Sequence, residues 1–119
     1  MRTDRGLWYR EDERDGRIDL VPVDGAAMTD TAFRHRWQIV TELPGGARVS
    51  TVFLALDHAY LPGGPPMLYE TMVFGGPVDQ TQKRYRYSTR AEAEIGHAKY
   101  VEQAKDALAG AVAFLPDAV

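Results

Sequence analysis

Four side chains could support metal-ion or acid–base chemistry. Asp57 and His58 are adjacent, and Glu70 and His97 lie further along the chain. A carboxylate can orient an imidazole and raise its basicity, and two histidines with a carboxylate can hold a metal ion with one coordination position open. The spacing of the four residues matches no short metalloenzyme motif. A metal-assisted hydrolase or nuclease site therefore requires the fold to bring them together.

Each of these residues also has a structural interpretation, which we favour. Asp57 could accept N–H groups of the glycine- and proline-rich loop that follows, with His58 packed beneath it. Adjacent strand residues point to opposite faces, so the two side chains would not meet while the strand continues. Glu70 stands in an apolar row, so we expect an arginine of a neighbouring strand to pair with it. His97 falls on the apolar stripe of a helix, where we expect it to donate to a backbone or carboxylate acceptor.

A second candidate site is the segment KRYRYSTR at residues 83–90, in which Arg84 and Arg86 alternate with Tyr85 and Tyr87. The arginines could bind an anionic ligand and the tyrosines could offer stacking surfaces. The same alternation is typical of a half-buried strand with tyrosines inside and arginines in water, which we favour. The sequence contains no GxGxxG, P-loop, GxSxG or HExxH motif, so we predict no cofactor and assign no metal ligands.

Composition excludes several classes of protein. A chain of 119 residues can bury a single core, so we expect one domain over residues 1–119. The net charge of -3 argues against general nucleic-acid binding. The chain has no cysteine, which excludes disulfides and thiolate sites. There is no run of 18 apolar residues, and the charged first residues lack the apolar segment of a secretory signal. We therefore predict a cytoplasmic protein without a membrane interaction.

Four segments show the alternation of strands: residues 36–43, 47–56, 66–76 and 82–87. Short glycine- and proline-containing connections join them, which favours an antiparallel meander. The second segment becomes apolar on both faces, as is typical of a central strand. If it pairs with the third in a hairpin, Glu70 lies opposite Leu54 and about 13 Å from His58, at about 3.3 Å per residue.

A helix is predicted after the strands, over residues 89–109. Thr89 and Glu92 fit a capping box at its start, and Gly110 is placed to end it, leaving residues 111–119 as a tail. A stripe of small apolar residues, with His97 near its middle, would face the sheet. Gly96 lies at the margin of this stripe, where glycine would permit a close contact.

The expected fold is α+β, an antiparallel sheet of four or five strands with one long C-terminal helix packed on one face. Residues 1–35 are expected to be an irregular N-terminal part, and residues 36–87 to form the sheet. Trp37, Phe53 and Val73 are assigned to the other face of the sheet, for which the sequence offers no cover. Uncovered apolar surface commonly marks an interface, so we expect a homodimer or a host-protein partner.

Several long strings in the sequence resemble a widespread family of small proteins encoded by tailed bacteriophages and prophages. The family pattern VSTVFLxLDH corresponds to residues 49–58, and GPPxLxETMVFGG corresponds to residues 64–76. A Tyr-Ser-Thr helix start matches residues 87–89, and a Gly-His pair matches residues 96–97. The resemblance covers roughly residues 37–102 and not the N-terminal third. It implies a phage-type origin, and hence the cytoplasm of a host cell, but no particular reaction.

Two functions follow as alternatives. The first is a small phage-type accessory protein that acts by binding a host protein or a small anionic ligand and has no catalytic activity. Counter-defence is one role that such a protein could have. The second is a small metal-assisted hydrolase or nuclease that uses Asp57, His58, Glu70 and His97. The missing catalytic motifs favour the first function.

Overall fold

The computed structural model describes residues 8–24, 36–57, 64–80 and 83–114, with side chains described as far as residue 110. These residues form a two-stranded hairpin, a four-stranded antiparallel sheet and one long helix, which confirms the predicted α+β class. The strands are β1 (Trp8–Arg14), β2 (Arg17–Val23), β3 (Gln38–Glu42), β4 (Arg48–Phe53), β5 (Tyr69–Phe74) and β6 (Tyr85–Tyr87), and the helix is α1 (Arg90–Phe114).

The four-stranded sheet follows the order β3-β4-β5-β6, which confirms the predicted antiparallel meander. Its register differs from the prediction by two residues, because Glu70 lies opposite Val52 and not opposite Leu54. The strand β4 is also shorter than predicted and ends at Phe53. Ala55 then adopts a positive φ of 69°, which takes the chain out of the extended conformation.

One face of the sheet, which we call the inner face, is covered by α1. Val49, Thr51 and Phe53 alternate with less buried neighbours along β4, as the period-2 pattern predicts. The assignment of Phe53 and Val73 to an uncovered face is wrong, since they are only 4% and 3% exposed on the inner face. Trp37 was assigned there too, but it packs against the same core as Phe53. The sequence shows which residues of a strand share a face of the sheet, but it does not show which of the two faces the helix covers.

The helix packs on this face through its stripe of small residues, as predicted. Ala93, His97, Val101 and Ala104 are all buried. Ile95 points away from the sheet and is 72% exposed. Within the described part of the chain, no helix combines the length and the apolar character needed to cross a membrane.

The start of α1 agrees with the prediction, and its end does not. The capping box is confirmed, because the Glu92 N–H donates to the Thr89 hydroxyl and the Thr89 N–H donates to the Glu92 carboxylate, both at 3.1 Å. The predicted stop at Gly110 is wrong. A glycine ends a helix by adopting a left-handed conformation, whereas Gly110 has no positive φ and the helix continues to Phe114.

The expectation of an irregular N-terminal part is wrong for residues 8–24. Here β1 and β2 pair through a tight turn in which Asp15 and Gly16 both have a positive φ, 52° and 76°. An Asp-Gly pair between two extended segments is a strong sequence signal of such a hairpin. The Tyr9 N–H donates to the Ala55 carbonyl at 2.7 Å, so the hairpin joins the sheet where β4 has ended.

Candidate functional site

The most buried polar cluster of the described chain lies between α1 and the inner face, around His97. This residue is 6% exposed. Its Nδ1 shares a hydrogen bond of 2.8 Å with the Thr51 hydroxyl, and its Nε2 shares one of 2.8 Å with the Thr41 hydroxyl. The Thr51 hydroxyl also lies 2.6 Å from the hydroxyl of Thr71 on β5. Three adjacent strands therefore each contribute one threonine to the cluster.

The threonine cluster uses both nitrogens of the imidazole. A neutral imidazole donates through one nitrogen and accepts through the other, and threonine hydroxyls can take either role. Burial lowers the pKa of His97, which favours this neutral form. A backbone or carboxylate acceptor was predicted for His97, but its partners are hydroxyls. His97 is thus a satisfied core residue, and its ring has no free nitrogen for a metal ion or substrate.

Gly96 lies beside this cluster and is buried against the phenol of Tyr87. A Cβ atom at position 96 would overlap the end of the Tyr87 ring. Burial also raises the pKa of the Tyr87 phenol, which keeps it neutral. The close contact that the sequence predicts at Gly96 is therefore made with a side chain of β6.

We expect Gly96→Ala to lower the free energy of unfolding by about 1–2 kcal/mol, because overpacking outweighs the gain in helix propensity. Gly110→Ala is the matched control, since Gly110 is in the same helix with open space around its Cα. It should raise stability by up to about 1 kcal/mol. Urea denaturation of both variants checks the prediction, and equal stabilisation by the two would contradict it.

Glu70 lies on the other face of the sheet, which we call the outer face. Its carboxylate accepts a hydrogen bond of 3.0 Å from Arg86 of β6, and the Arg84 guanidinium is 3.9 Å away. The predicted arginine partner is confirmed. The convergence of Glu70 with His97 that the metal-assisted hydrolase requires is not found, because odd-numbered residues of β5 face α1 and Glu70 faces away from it.

Asp57 follows the end of β4 and is 8% exposed. Its Oδ1 accepts a hydrogen bond of 3.0 Å from the N–H of Met67, which follows the loop between β4 and β5. Asp57 therefore accepts a backbone N–H at the end of this loop, as the structural interpretation predicts. The partner that would complete an acid–base pair, His58, lies outside the described residues. Among the residues that are described, no three histidine, aspartate or glutamate side chains are grouped closely enough to hold a metal ion.

The four residues proposed to bind an anion are divided between the two faces of β6. Tyr85 lies on the inner face, where its ring stacks on Tyr100 of α1 at a centroid distance of 3.9 Å. Arg84 and Arg86 lie on the outer face beside Glu70. Arg86 was expected to lie in water, but its side chain is only 19% exposed. The tyrosines and arginines therefore do not line one ligand site.

One charged cluster, around Glu11, was not predicted from the sequence. Glu11 of β1 receives two hydrogen bonds from Arg90, at 3.0 and 3.1 Å, and a third from the Tyr69 hydroxyl. The Arg90 guanidinium also lies 4.8 Å from the centre of the Trp37 ring. Glu11 belongs to the mostly acidic run EDERD at residues 11–15, a pattern that is typical of a solvated surface. No local pattern marks it, because its partners are 58 and 79 residues away.

The Glu11 cluster is electrostatically balanced. Burial raises the pKa of Tyr69, and the Glu11 carboxylate raises it further, so the phenol stays neutral and donates to Glu11. Burial alone would lower the pKa of Arg90, but its hydrogen bonds and charge interaction with Glu11 more than offset this, and the pKa is raised. The cluster therefore holds the hairpin to the sheet and to the first turn of α1 through a persistent ion pair.

A cleft of about 270 Å³ opens between α1 and the segment after β5. Its apolar lining is Val73, Tyr100, Ala104 and Ala107, and its polar lining is Gln80, Gln103 and Asp106. The lining includes no cationic group, so this cleft is not suited to the small anionic ligand considered above.

The strings that carry the phage-family resemblance meet around His97 in space. Thr51, Thr71 and Tyr87 come from three of them, and Gly96 and His97 are the fourth. Comparisons with known proteins add no relative, because no protein-family model, curated protein or solved structure matches the chain.

Proposed function

We propose that this chain is a phage-type accessory protein that acts by binding a protein partner through the outer face of its sheet, without catalysis. The observation that carries the proposal is the composition of that face. Its centre is apolar and its edges are charged, and none of the described elements covers it. The residues of the outer face are Gln38, Val40, Glu42, Arg48, Ser50, Val52, Glu70, Met72, Phe74, Arg84 and Arg86.

The apolar centre consists of Val40, Val52, Met72 and Phe74. Val40 is 47% exposed, and the other three are partly exposed although they belong to the two central strands. The Arg48 guanidinium lies 5.1 Å from the centre of the Phe74 ring, so it shields part of the surface and could be displaced by a partner. An apolar patch with a charged rim is the usual composition of a protein-binding surface.

The positions of the candidate catalytic residues also support binding over catalysis. His97, Glu70 and Asp57 each have a structural partner, and His97 and Glu70 lie on opposite faces of the sheet. A hydrolase that used all four predicted residues would need them on one surface. The alternative of a metal-assisted hydrolase therefore has no supporting geometry in the described chain.

Binding of a small anionic ligand is the second candidate function. The 48% exposure of the Arg84 side chain favours it. The carboxylate of Glu70 lies beside both Arg84 and Arg86, however, and would repel an anion. A protein partner suits the face better, because the charged rim and the apolar centre would be used together. Such a partner would be a protein of the bacterial host or a second copy of the chain, and a host partner would suit a counter-defence role in the host cytoplasm.

The test compares Met72→Lys on the outer face with Ile95→Lys on the exposed side of α1, where the original side chain is 72% exposed. Both variants add one positive charge in place of an exposed or half-exposed apolar side chain. We expect a defined host protein to be retained by the immobilised wild-type protein and by Ile95→Lys, and to lose at least tenfold in affinity for Met72→Lys. Affinity capture followed by titration of the purified partner measures this, and equal binding by all three proteins would refute the use of the outer face.

Thermal shift separates the other functions from this one. Binding through the outer face predicts no change in Tm with zinc, manganese, phosphate or nucleotides. A rise in Tm with a divalent metal that His58→Ala abolishes would favour the hydrolase, and a rise with phosphate that Arg84→Ala abolishes would favour the anionic ligand.

A further inference from the structure

The strand β3 forms one edge of the four-stranded sheet, and its outward-pointing backbone groups can be identified. The Phe53 N–H donates to the Trp37 carbonyl at 2.9 Å, and the Leu43 N–H donates to the Ala47 carbonyl at 2.8 Å. Backbone groups alternate in direction along a strand, so the odd-numbered residues of β3 face β4. The N–H and C=O groups of Gln38, Val40 and Glu42 therefore point away from the sheet.

Several features by which proteins prevent strand pairing are absent from the described part of this edge. The sequence of β3, QIVTE, contains no proline, glycine or lysine, and the strand pairs with β4 without a bulge. None of the described strands lies on its other side. Val40, at its centre, is the most exposed aliphatic side chain of the sheet, at 47%. The edge is therefore a ready template for an additional strand.

We propose that β3 pairs antiparallel with β3 of a second copy of this chain, about a twofold axis at Val40. In this register Val40 lies opposite Val40 of the partner, Gln38 lies opposite Glu42, and Ile39 lies opposite Thr41. The residues with outward-pointing backbone groups pair with one another, so every N–H at the edge meets a carbonyl. Two four-stranded sheets then form one continuous sheet.

Side-chain complementarity selects the second copy and the register. The central pair buries the exposed Val40 side chain against its equivalent, and the flanking pairs place a neutral amide donor opposite a carboxylate. Shifting the register by two residues in one direction places Pro44, which has no N–H, opposite Gln38. The same shift in the other direction places Val40 opposite Gln38 and removes the apolar pair. Only the Val40-centred register uses all five strand residues.

The pairing has a consequence for the outer face. Paired residues of an antiparallel sheet point to the same side, so the outer faces of the two copies would be continuous across the Val40 pair. The inference rests on the backbone of β3 and not on the proposed host partner. A dimer through this edge can therefore be correct even if the outer face binds nothing.

Charge substitutions at Gln38 test the register in the full chain. Gln38→Glu places a second carboxylate opposite Glu42 at two symmetry-related positions, and Gln38→Lys places an ammonium there. We expect a wild-type dimer of twice the 13.3 kDa chain mass with a Kd in the micromolar range. Gln38→Glu should raise this Kd about tenfold and Gln38→Lys should lower it severalfold. Sedimentation equilibrium at low salt measures all three values.

The matched controls are Gln103→Glu and Gln103→Lys, which make the same charge changes at an exposed glutamine of α1 and should leave the Kd unchanged. A unique thiol gives a second measurement, because the chain has no cysteine. In the proposed register the two copies of position 40 have Cα atoms about 5.5 Å apart, which a disulfide can span. Val40→Cys should therefore oxidise to a covalent dimer much faster than Ile95→Cys.

Three results would overturn the proposal. The first is a wild-type chain that stays monomeric up to about 1 mM. The second is a dimer whose Kd responds in the same direction to both charges at position 38. The third is equal crosslinking rates for the two cysteine variants. If only a host protein pairs with this edge, the chain alone is monomeric, and the first result is obtained.

Discussion

Replacing Glu11 by alanine is expected to lower the free energy of unfolding by about 3 kcal/mol. The substitution leaves the Arg90 guanidinium without its two charge-assisted hydrogen bonds and the Tyr69 hydroxyl without its acceptor. Both groups are largely or fully buried, since the Arg90 side chain is 23% exposed and Tyr69 is 0% exposed. Most of the cost is the desolvation of an unpaired charge.

The loss should be concentrated in the hairpin. Besides the Glu11 cluster, the hairpin is held by the buried Tyr9 side chain, by the packing of Trp8 and Leu20 against the core, and by the backbone bond from Tyr9 to Ala55. We expect amide hydrogen exchange in β1 and β2 to accelerate more than exchange in β4 and β5. Glu13→Ala, an exposed glutamate of the same strand, is the matched control and should change stability by less than about 0.5 kcal/mol. If Glu11→Ala and Glu13→Ala behave alike, the cluster does not hold the hairpin.

The second large effect is expected at His97. We expect His97→Ala to lower the free energy of unfolding by about 3 kcal/mol, because it opens a cavity beneath α1 and removes one hydrogen bond from each of the hydroxyls of Thr41 and Thr51. His97→Gln should lose less, about 1–2 kcal/mol, since an amide can donate and accept in the same space. Urea denaturation measures both values. Equal losses in the two variants would show that the hydrogen bonds contribute nothing beyond packing.

The same residue predicts a pH dependence. Burial lowers the pKa of His97 below its ordinary value of 6.5 in the folded chain. Above that value the residue is neutral in both states, so it contributes no slope. Below it the unfolded chain binds a proton that the folded chain does not, and stability falls as the pH decreases towards the lowered pKa. The stability of the wild-type chain should therefore decrease as the pH falls below about 6.5.

His97→Gln isolates this contribution, because His35 and His58 are present in both proteins and their titration cancels in the comparison. We expect the stability of the variant to fall less steeply than that of the wild type over this range. Parallel pH profiles would mean that His97 titrates normally in the folded state, which contradicts its position between two threonine hydroxyls.

Local chemistry explains why much of the sheet and the start of the helix could be predicted. Alternation along residues 47–56 and 66–76 indicates strands, since apolar side chains on one face of an extended chain must be two residues apart. Thr89 and Glu92 predict a helix start because their side chains satisfy N–H groups within the same turn. The arginine partner of Glu70 follows from the cost of leaving a partly buried carboxylate unpaired.

Predictions about contacts between residues that are far apart in the sequence were less successful. The register of β4 against β5 was wrong by two residues, because the left-handed conformation of Ala55 leaves no mark in the sequence. The face of Phe53 and Val73 was misassigned, since alternation defines two faces without indicating which one the helix covers. The Glu11 cluster was missed because its three charged or polar members come from the first strand, the third sheet strand and the helix start.

The sequence by itself determined the class of fold, the four strands of the larger sheet, the start of the helix, the apolar stripe of α1 and the structural character of Asp57 and Glu70. These properties depend on neighbours within a few residues, where periodicity and turn chemistry leave a direct record. Only the tertiary structure decided that His97 bonds threonines of two strands, Thr41 and Thr51, and that Glu11 pairs with Arg90. It also showed that Glu70 and His97 lie on opposite faces, and that none of the described strands pairs with the outer edge of β3. Those outcomes depend on which elements meet in space, because the cost of burying a polar group is set by partners that the local sequence does not specify.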